Sequence, residues 1–157
     1  PKRVSIYKEW ANTGLITKDY EQAKEKTEKC IELDPDYGGC YWLMGLISGY
    51  VQDSEKIQYY FNLSKERDYD TESEEALEQL INMYFQTKNL QGLKETYPKA
   101  IDLTTDNAEK AQLLASLAFT YEQLGEFEKA KETALKILEI LPSAKSDVDA
   151  FLENLLK

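Results

Sequence analysis

Cys30 and Cys40 are the two thiols of the chain, and it has no histidine. Without an imidazole, histidine-based zinc sites, a Cys-His pair and a Ser-His-Asp triad all fall away, and with them most familiar nucleophilic chemistry. Carboxylates are the acidic groups left. Their densest run, DYDTESEEALE at 68–78, has the composition to attract a basic partner or hold a divalent cation loosely, but it lacks the central Gly of an EF-hand loop. Carboxylates in a turn that enters a helix are also stabilised by the helix dipole while they stay solvated, and this is the better reading of the run. No nucleophile stands beside a base, so the residues point away from an enzyme, with no catalytic residue, metal or cofactor expected.

The elements that carry these groups are bounded by composition. At 157 residues and 42% hydrophobic, the chain suits one folded domain over 1–157 with a continuous core. Few Gly and Pro, with Lys, Glu, Ala and Leu recurring throughout, favour helix over sheet. Nineteen basic against twenty-nine acidic residues give a net charge of -10, and only Arg3 and Arg67 carry a guanidinium. Nucleic acid is therefore not an expected partner, and electrostatic steering favours a basic one. No apolar run reaches the length of a membrane span and no signal peptide is visible, so no direct membrane insertion is expected and the cytoplasm is the default location. The start at Pro rather than Met fits a piece of a longer protein.

Self-similarity organises the chain. Residues 111–144 read AQLLASLAFTYEQLGEFEKAKETALKILEILPSA: an apolar helix, a turn at Gly125, a second helix and a stop at Pro142. Leu114, Leu117, Ala118 and Tyr121 on the first helix, with Phe127 and Ala130 on the second, resemble the tetratricopeptide repeat family. The same template fits 4–37 through Tyr7, Trp10, Ala11, Tyr20, Ala23, Cys30 and Pro35. It fits 38–71 through Tyr41, Met44, Gly45, Ile57, Phe61 and Ser64, and 74–107 through Leu77, Leu80, Ile81, Tyr84, Leu90, Leu93, Tyr97 and Ala100. Small insertions near 72–73 and 108–110 belong in turns. The resemblance implies an all-α, right-handed α-solenoid of four helix-turn-helix repeats, in which each helical pair hides its apolar side on its neighbour.

Local signals refine this picture. Asp19, Asp53 and Asn89 are N-cap residues for second helices, and Glu126 is the odd one at the fourth. Pro98 inside a second helix predicts a kink or an early end. Both cysteines fall at inward-facing repeat positions and read as free thiols packed as small apolar groups; a Cys30 to Cys40 disulfide is the less favoured alternative, because bridges belong to oxidising compartments and this fold does not need one. Ser146 reads as the cap of a closing helix over 146–157, with Val148, Phe151, Leu152, Leu155 and Leu156 on one face to cover the end of the stack. The opposite end, from Pro1 to Val4, offers no such cover.

In tetratricopeptide proteins the first helices line the inner face, which implies a groove of Lys8, Asn12, Trp42, Leu43, Leu46, Tyr50, Asn82, Phe85, Gln86, Phe119 and Gln123. Such a stripe suits an extended peptide or amphipathic helix of a protein partner. The alternative is that Trp42, Leu46 and Phe119 pack against neighbouring helices. Lys8 and Asn12 also match part of the carboxylate clamp of chaperone-binding members, but Leu43, Glu75 and Gln79 depart from it, so acidic chaperone tails are not expected to bind. A second role is self-association through the uncovered first repeat or the convex face, giving a homo-oligomer. The stretch LLASLAFTYEQLGEFEKAKETALKILEILP followed by VDAFLENLL is also similar to tetratricopeptide tails of bacterial O-antigen ligase or polymerase-like membrane proteins, which implies a soluble appendage of a larger membrane-associated protein.

Overall fold

The computed structural model describes residues 2–155, with the side chain of residue 2 outside the description. Among the described residues there are nine α-helices, one short 3-10 turn and no strand. They are α1 (Lys2–Ile16), α2 (Tyr20–Leu33), α3 (Gly38–Tyr50), α4 (Ser54–Glu66), α5 (Glu74–Gln86), α6 (Leu90–Leu103), α7 (Asn107–Gln123), α8 (Phe127–Ile140) and α9 (Lys145–Leu155), with the 3-10 turn at Pro142–Ala144 before α9. The helices form two compact units that divide between Gln79 and Leu80, inside α5.

Each expected helical pair closes through the same turn. Lys18, Gln52, Lys88 and Gly125 all adopt left-handed backbone, with φ of 61°, 60°, 55° and 73°. In every case the next amide reaches back to a carbonyl one turn inside the first helix: Asp19 to Gly14, Asp53 to Ser48, Asn89 to Tyr84 and Glu126 to Tyr121. These bonds satisfy carbonyls that the helix end would otherwise leave without a donor. Glycine takes this conformation freely at 125, whereas the three side chains carry a steric cost. The following helices start with different devices. Asp19 and Asn89 accept from the amides of Gln22 and Gly92. Asp53 does not cap: its carboxylate pairs with Lys56 at 2.6 Å instead, and that bond holds its carboxyl below the usual range. Glu126 also lacks a capping bond.

Within the first unit α3 is the buried centre, enclosed from Gly38 through Gly49 and packed on α1, α2 and α4. A helix apolar on all sides has no face to give to water. Small residues set how closely its neighbours approach: a Cβ on Gly45 would sit 2.4 Å from the Phe61 ring. Trp42 fills the adjacent space, its ring 4.7 Å from Phe61 and 5.3 Å from Tyr69. Burial raises the Tyr69 phenol far above its usual value, with Glu75 adding to the effect. The expected free thiols are absent. Cys30 and Cys40 form a disulfide, joining the last turn of α2 to the first turn of α3 at a Cα separation of 5.9 Å. The 34–37 turn folds the chain back and brings the two positions together, which the repeat register alone did not specify.

The second unit is built on smaller side chains. Ala111, Leu114, Ala118, Ala134, Ile137 and Val148 form one core, against which Phe151 and Leu152 of α9 pack. Leu93, Tyr97 and Leu117 form the other, flanked by Ile81, Tyr84 and Tyr121. The closing helix therefore packs on α8, with Val148 reaching the core that α7 shares. It begins at Lys145, one residue ahead of the expected Ser146 cap, because the 3-10 turn starting at Pro142 feeds straight into it. The last two residues of the expected 146–157 span lie outside the described residues. Helix α6 does not end early at Pro98 but runs on to Leu103.

Candidate partner-binding surfaces

In the first unit, the first-helix face is largely occupied by the protein's own groups. Trp42 is 2% exposed, and Leu43 and Leu46 are likewise enclosed. The Trp42 indole Nε1 donates to Gln79 Oε1 at 2.6 Å. These three residues are core rather than groove lining, because α3 has no polar side to turn outward. Tyr50 is half-buried and stacks on Tyr20 at 5.1 Å, and burial raises its phenol above the usual value, with Tyr20 adding to it. Lys8 lies 3.9 Å from Glu75, and Asn12 on the same helix is half-buried. The two clamp-like residues thus sit beside a carboxylate that already offsets the lysine.

The second unit leaves its first-helix positions open. Asn82, Phe85 and Gln86 are exposed on the second half of α5, with Phe85 67% accessible. Phe119 and Gln123 are exposed on α7, Phe119 by 54%. A cleft of about 310 Å³ opens beside α7. Ala108, Gln112 and Ala115 of α7 form one wall, Asp147, Val148 and Phe151 of α9 the other, and Ala134, Ile137 and Leu141 its base. Its lining is almost wholly apolar. Ala108, Gln112, Ala115, Phe119 and Gln123 follow one another at steps of three or four, so cleft and exposed aromatic share one face of α7. The expected groove residues omit this cleft because alanine in a helix reads as a helix former. Its one signal is the alternation of small residues at 108, 111, 115 and 118 opposite an amphipathic closing helix.

A second cleft of about 440 Å³ lies between α6 and α8 over Leu114, Leu117 and Tyr121 of α7, with Pro98 in one wall. Its rim is mixed in charge, carrying Lys110 and Lys136 beside Asp102 and Glu139. Near the start of α8, Glu126 bridges Lys129 and Lys94 at 2.6 and 2.5 Å. The Lys129 bond, then the Lys94 bond, holds its carboxyl below the usual range. Among the described residues no group of three or more Cys, Asp or Glu side chains is placed to hold a metal ion. No helix among them is long and apolar enough to cross a membrane.

Comparison with known proteins fits this geometry. Residues 11–37 and 111–143 match the tetratricopeptide repeat family. No curated protein sequence matches the chain. Among solved structures, that of pilF from Pseudomonas aeruginosa is similar with a TM-score of 0.66 at 17% identity, spanning 99% of this chain and 68% of that one. A structure of the MamA protein is similar with a TM-score of 0.58 at 20% identity, spanning 99% of this chain and 87% of that one. A further MamA structure gives 0.56 at 18% identity, over 93% and 92% of the two chains. The chain is thus built of tetratricopeptide-type helical repeats, with family sequence in its first and last repeats and the fold of these neighbours along its length.

Proposed function

We propose that the chain is a protein-interaction module whose contact surface in the second unit is the open face of α7 together with the cleft beside α9. Tetratricopeptide-type folds suggest a protein-binding scaffold, and the observation that carries the placement is Phe119, 54% exposed in line with an apolar cleft. An exposed aromatic next to a preformed apolar recess is a favourable anchor site, because little ordering is needed when a partner side chain enters. Asp147 at the cleft wall and the net charge of -10 favour a segment with a large apolar residue flanked by Lys or Arg. Exposed Gln112 and Gln123 supply groups that can bond a partner backbone. In the first unit Lys8 and Asn12 stay candidate polar contacts, and Glu75 beside Lys8 argues against acidic tails.

The test is selection of peptides from a displayed library on the wild-type chain, followed by titration against Ala115→Trp, which fills the cleft, and Phe119→Ala. Enriched peptides should pair Leu, Phe or Trp with nearby basic residues and lose at least about tenfold in affinity on both variants. Equal affinity for Ala115→Trp, or enrichment of acidic peptides, would sink the reading.

Self-association is the second reading, favoured by Ile6 and Trp10, which are 44% and 51% exposed on one side of α1. Sedimentation across a range of concentrations separates the two. A mass that rises with concentration and returns to the monomer on Trp10→Glu supports assembly, and a constant monomer mass excludes it.

A further inference from the structure

We infer that this chain folds and works in an oxidising compartment, against the cytoplasmic default, with the Cys30–Cys40 bridge acting as a clasp on its first unit. Disulfides persist where the surroundings are oxidising and are rare where glutathione and thioredoxin keep thiols reduced. Both cysteines are 0% exposed, so a closed bridge is shielded from reductants once the unit is packed. The bridge sits where three helices meet. Cys30 and Cys40 pack with Val4 of α1, and Tyr7, Ile31 and Tyr37 surround the cluster.

The local sequence explains what a clasp does there. Helix α3 opens with Gly38 and Gly39, the residue type that loses most backbone freedom in a helix. The N-cap residue ahead of it, Tyr37, makes no side-chain capping bond. Nothing in the first turn of α3 favours helix by itself, yet this turn enters the buried centre of the unit. A covalent link to the last turn of α2, ten residues earlier, limits how far the unfolded chain can spread around this weak start.

The closing reaction is thiol-disulfide exchange with a disulfide-bearing oxidant. The thiolate of one cysteine attacks a sulfur of the oxidant, forming a mixed disulfide and expelling one oxidant thiolate. The second cysteine thiolate then attacks the sulfur of the first, releasing the other oxidant thiol. Two electrons pass to the oxidant, which leaves as a dithiol, and the two protons given up by the cysteines balance its two thiols. Because both sulfurs are buried in the folded unit, exchange belongs to the stage before α1 packs over them.

The full chain is acid-quenched in the cells that make it, denatured, and alkylated with a maleimide before and after reduction. No label before and two labels after are expected; two labels before reduction would overturn the compartment assignment. Hydrogen exchange of the oxidised chain, beside the full chain reduced with a phosphine in denaturant and refolded, tests the clasp. Amides at the end of α2 and the start of α3 should lose protection about 100-fold on reduction, which is the closure entropy of so short a loop expressed as an equilibrium constant, while residues 107–155 stay unchanged. A Cys30→Ala, Cys40→Ala double substitution should behave like the reduced chain. Unchanged protection at α2 and α3 in both would refute the clasp.

Discussion

The two units solve the same packing problem with opposite materials. The first encloses a helix that is apolar all round, filling its space with Trp42, Phe61 and Tyr69 and fastening one end with a disulfide. The second brings helices together over Ala111, Ala118, Ala130 and Ala134 and leaves a recess beside α7. Large side chains fill the space among the helices of the first unit; small ones leave a recess in the second. The same helical pairing is therefore compatible with a filled face or an open one.

The sharpest way to break this contrast is Trp42→Ala. It removes a fully buried ring and leaves Gln79 without its donor, and should cost about 3–5 kcal/mol in denaturant unfolding. A loss below about 1 kcal/mol would mean that the aromatic stack is not the support described. Ala130→Leu tests the opposite material. The added bulk at a fully buried alanine outside either cleft should cost about 1–3 kcal/mol, read as a lower thermal midpoint. The turns come next. Gln52→Gly relieves a left-handed side chain and should gain about 0.5 kcal/mol, while Gly125→Ala, with open space around it, should cost about 1 kcal/mol from backbone strain alone. Phe119→Ala should leave stability within about 0.5 kcal/mol, since the residue is exposed, and so separates binding from folding.

The smallest effect is that of Glu126. Its carboxyl is held below the ordinary glutamate range, so its contribution is present above that range and fades as pH falls through the lower folded value. Glu126→Gln should flatten that part of the acid-unfolding curve and leave neutral stability almost unaltered. A steeper curve in the variant would contradict the pairing with Lys129 and Lys94.

Most of the fold was legible because it rests on spacing. The repeat starts at 4, 38, 74 and 111 fall within four residues of the first residues of α1, α3, α5 and α7, and Gly125 marked its turn. Lys18, Gln52 and Lys88 gave no comparable sign, since a left-handed residue imposed by the surrounding bonds need not be glycine. Ser146 and Asp53 look like caps by type, but a preceding 3-10 turn and a neighbouring lysine claimed those roles. The proposed contact surface was harder to read. Along GGCYWLMGLISGY nearly every residue is apolar or small, so periodicity could not say which side faces out, and Trp42 looked like an anchor when it is a support. Ala108 and Ala115 carried no chemical signal, since what they contribute is empty space.

The junctions at Lys18, Gln52, Lys88 and Gly125 share one main-chain bond, and at two of them the Thr17 and Thr87 hydroxyls donate to the same carbonyl. The shared bond behaves as a coupling of one gauge, whatever side chain stands at the left-handed residue. Residues at that position should therefore be exchangeable among the four hairpins without retuning how each one closes.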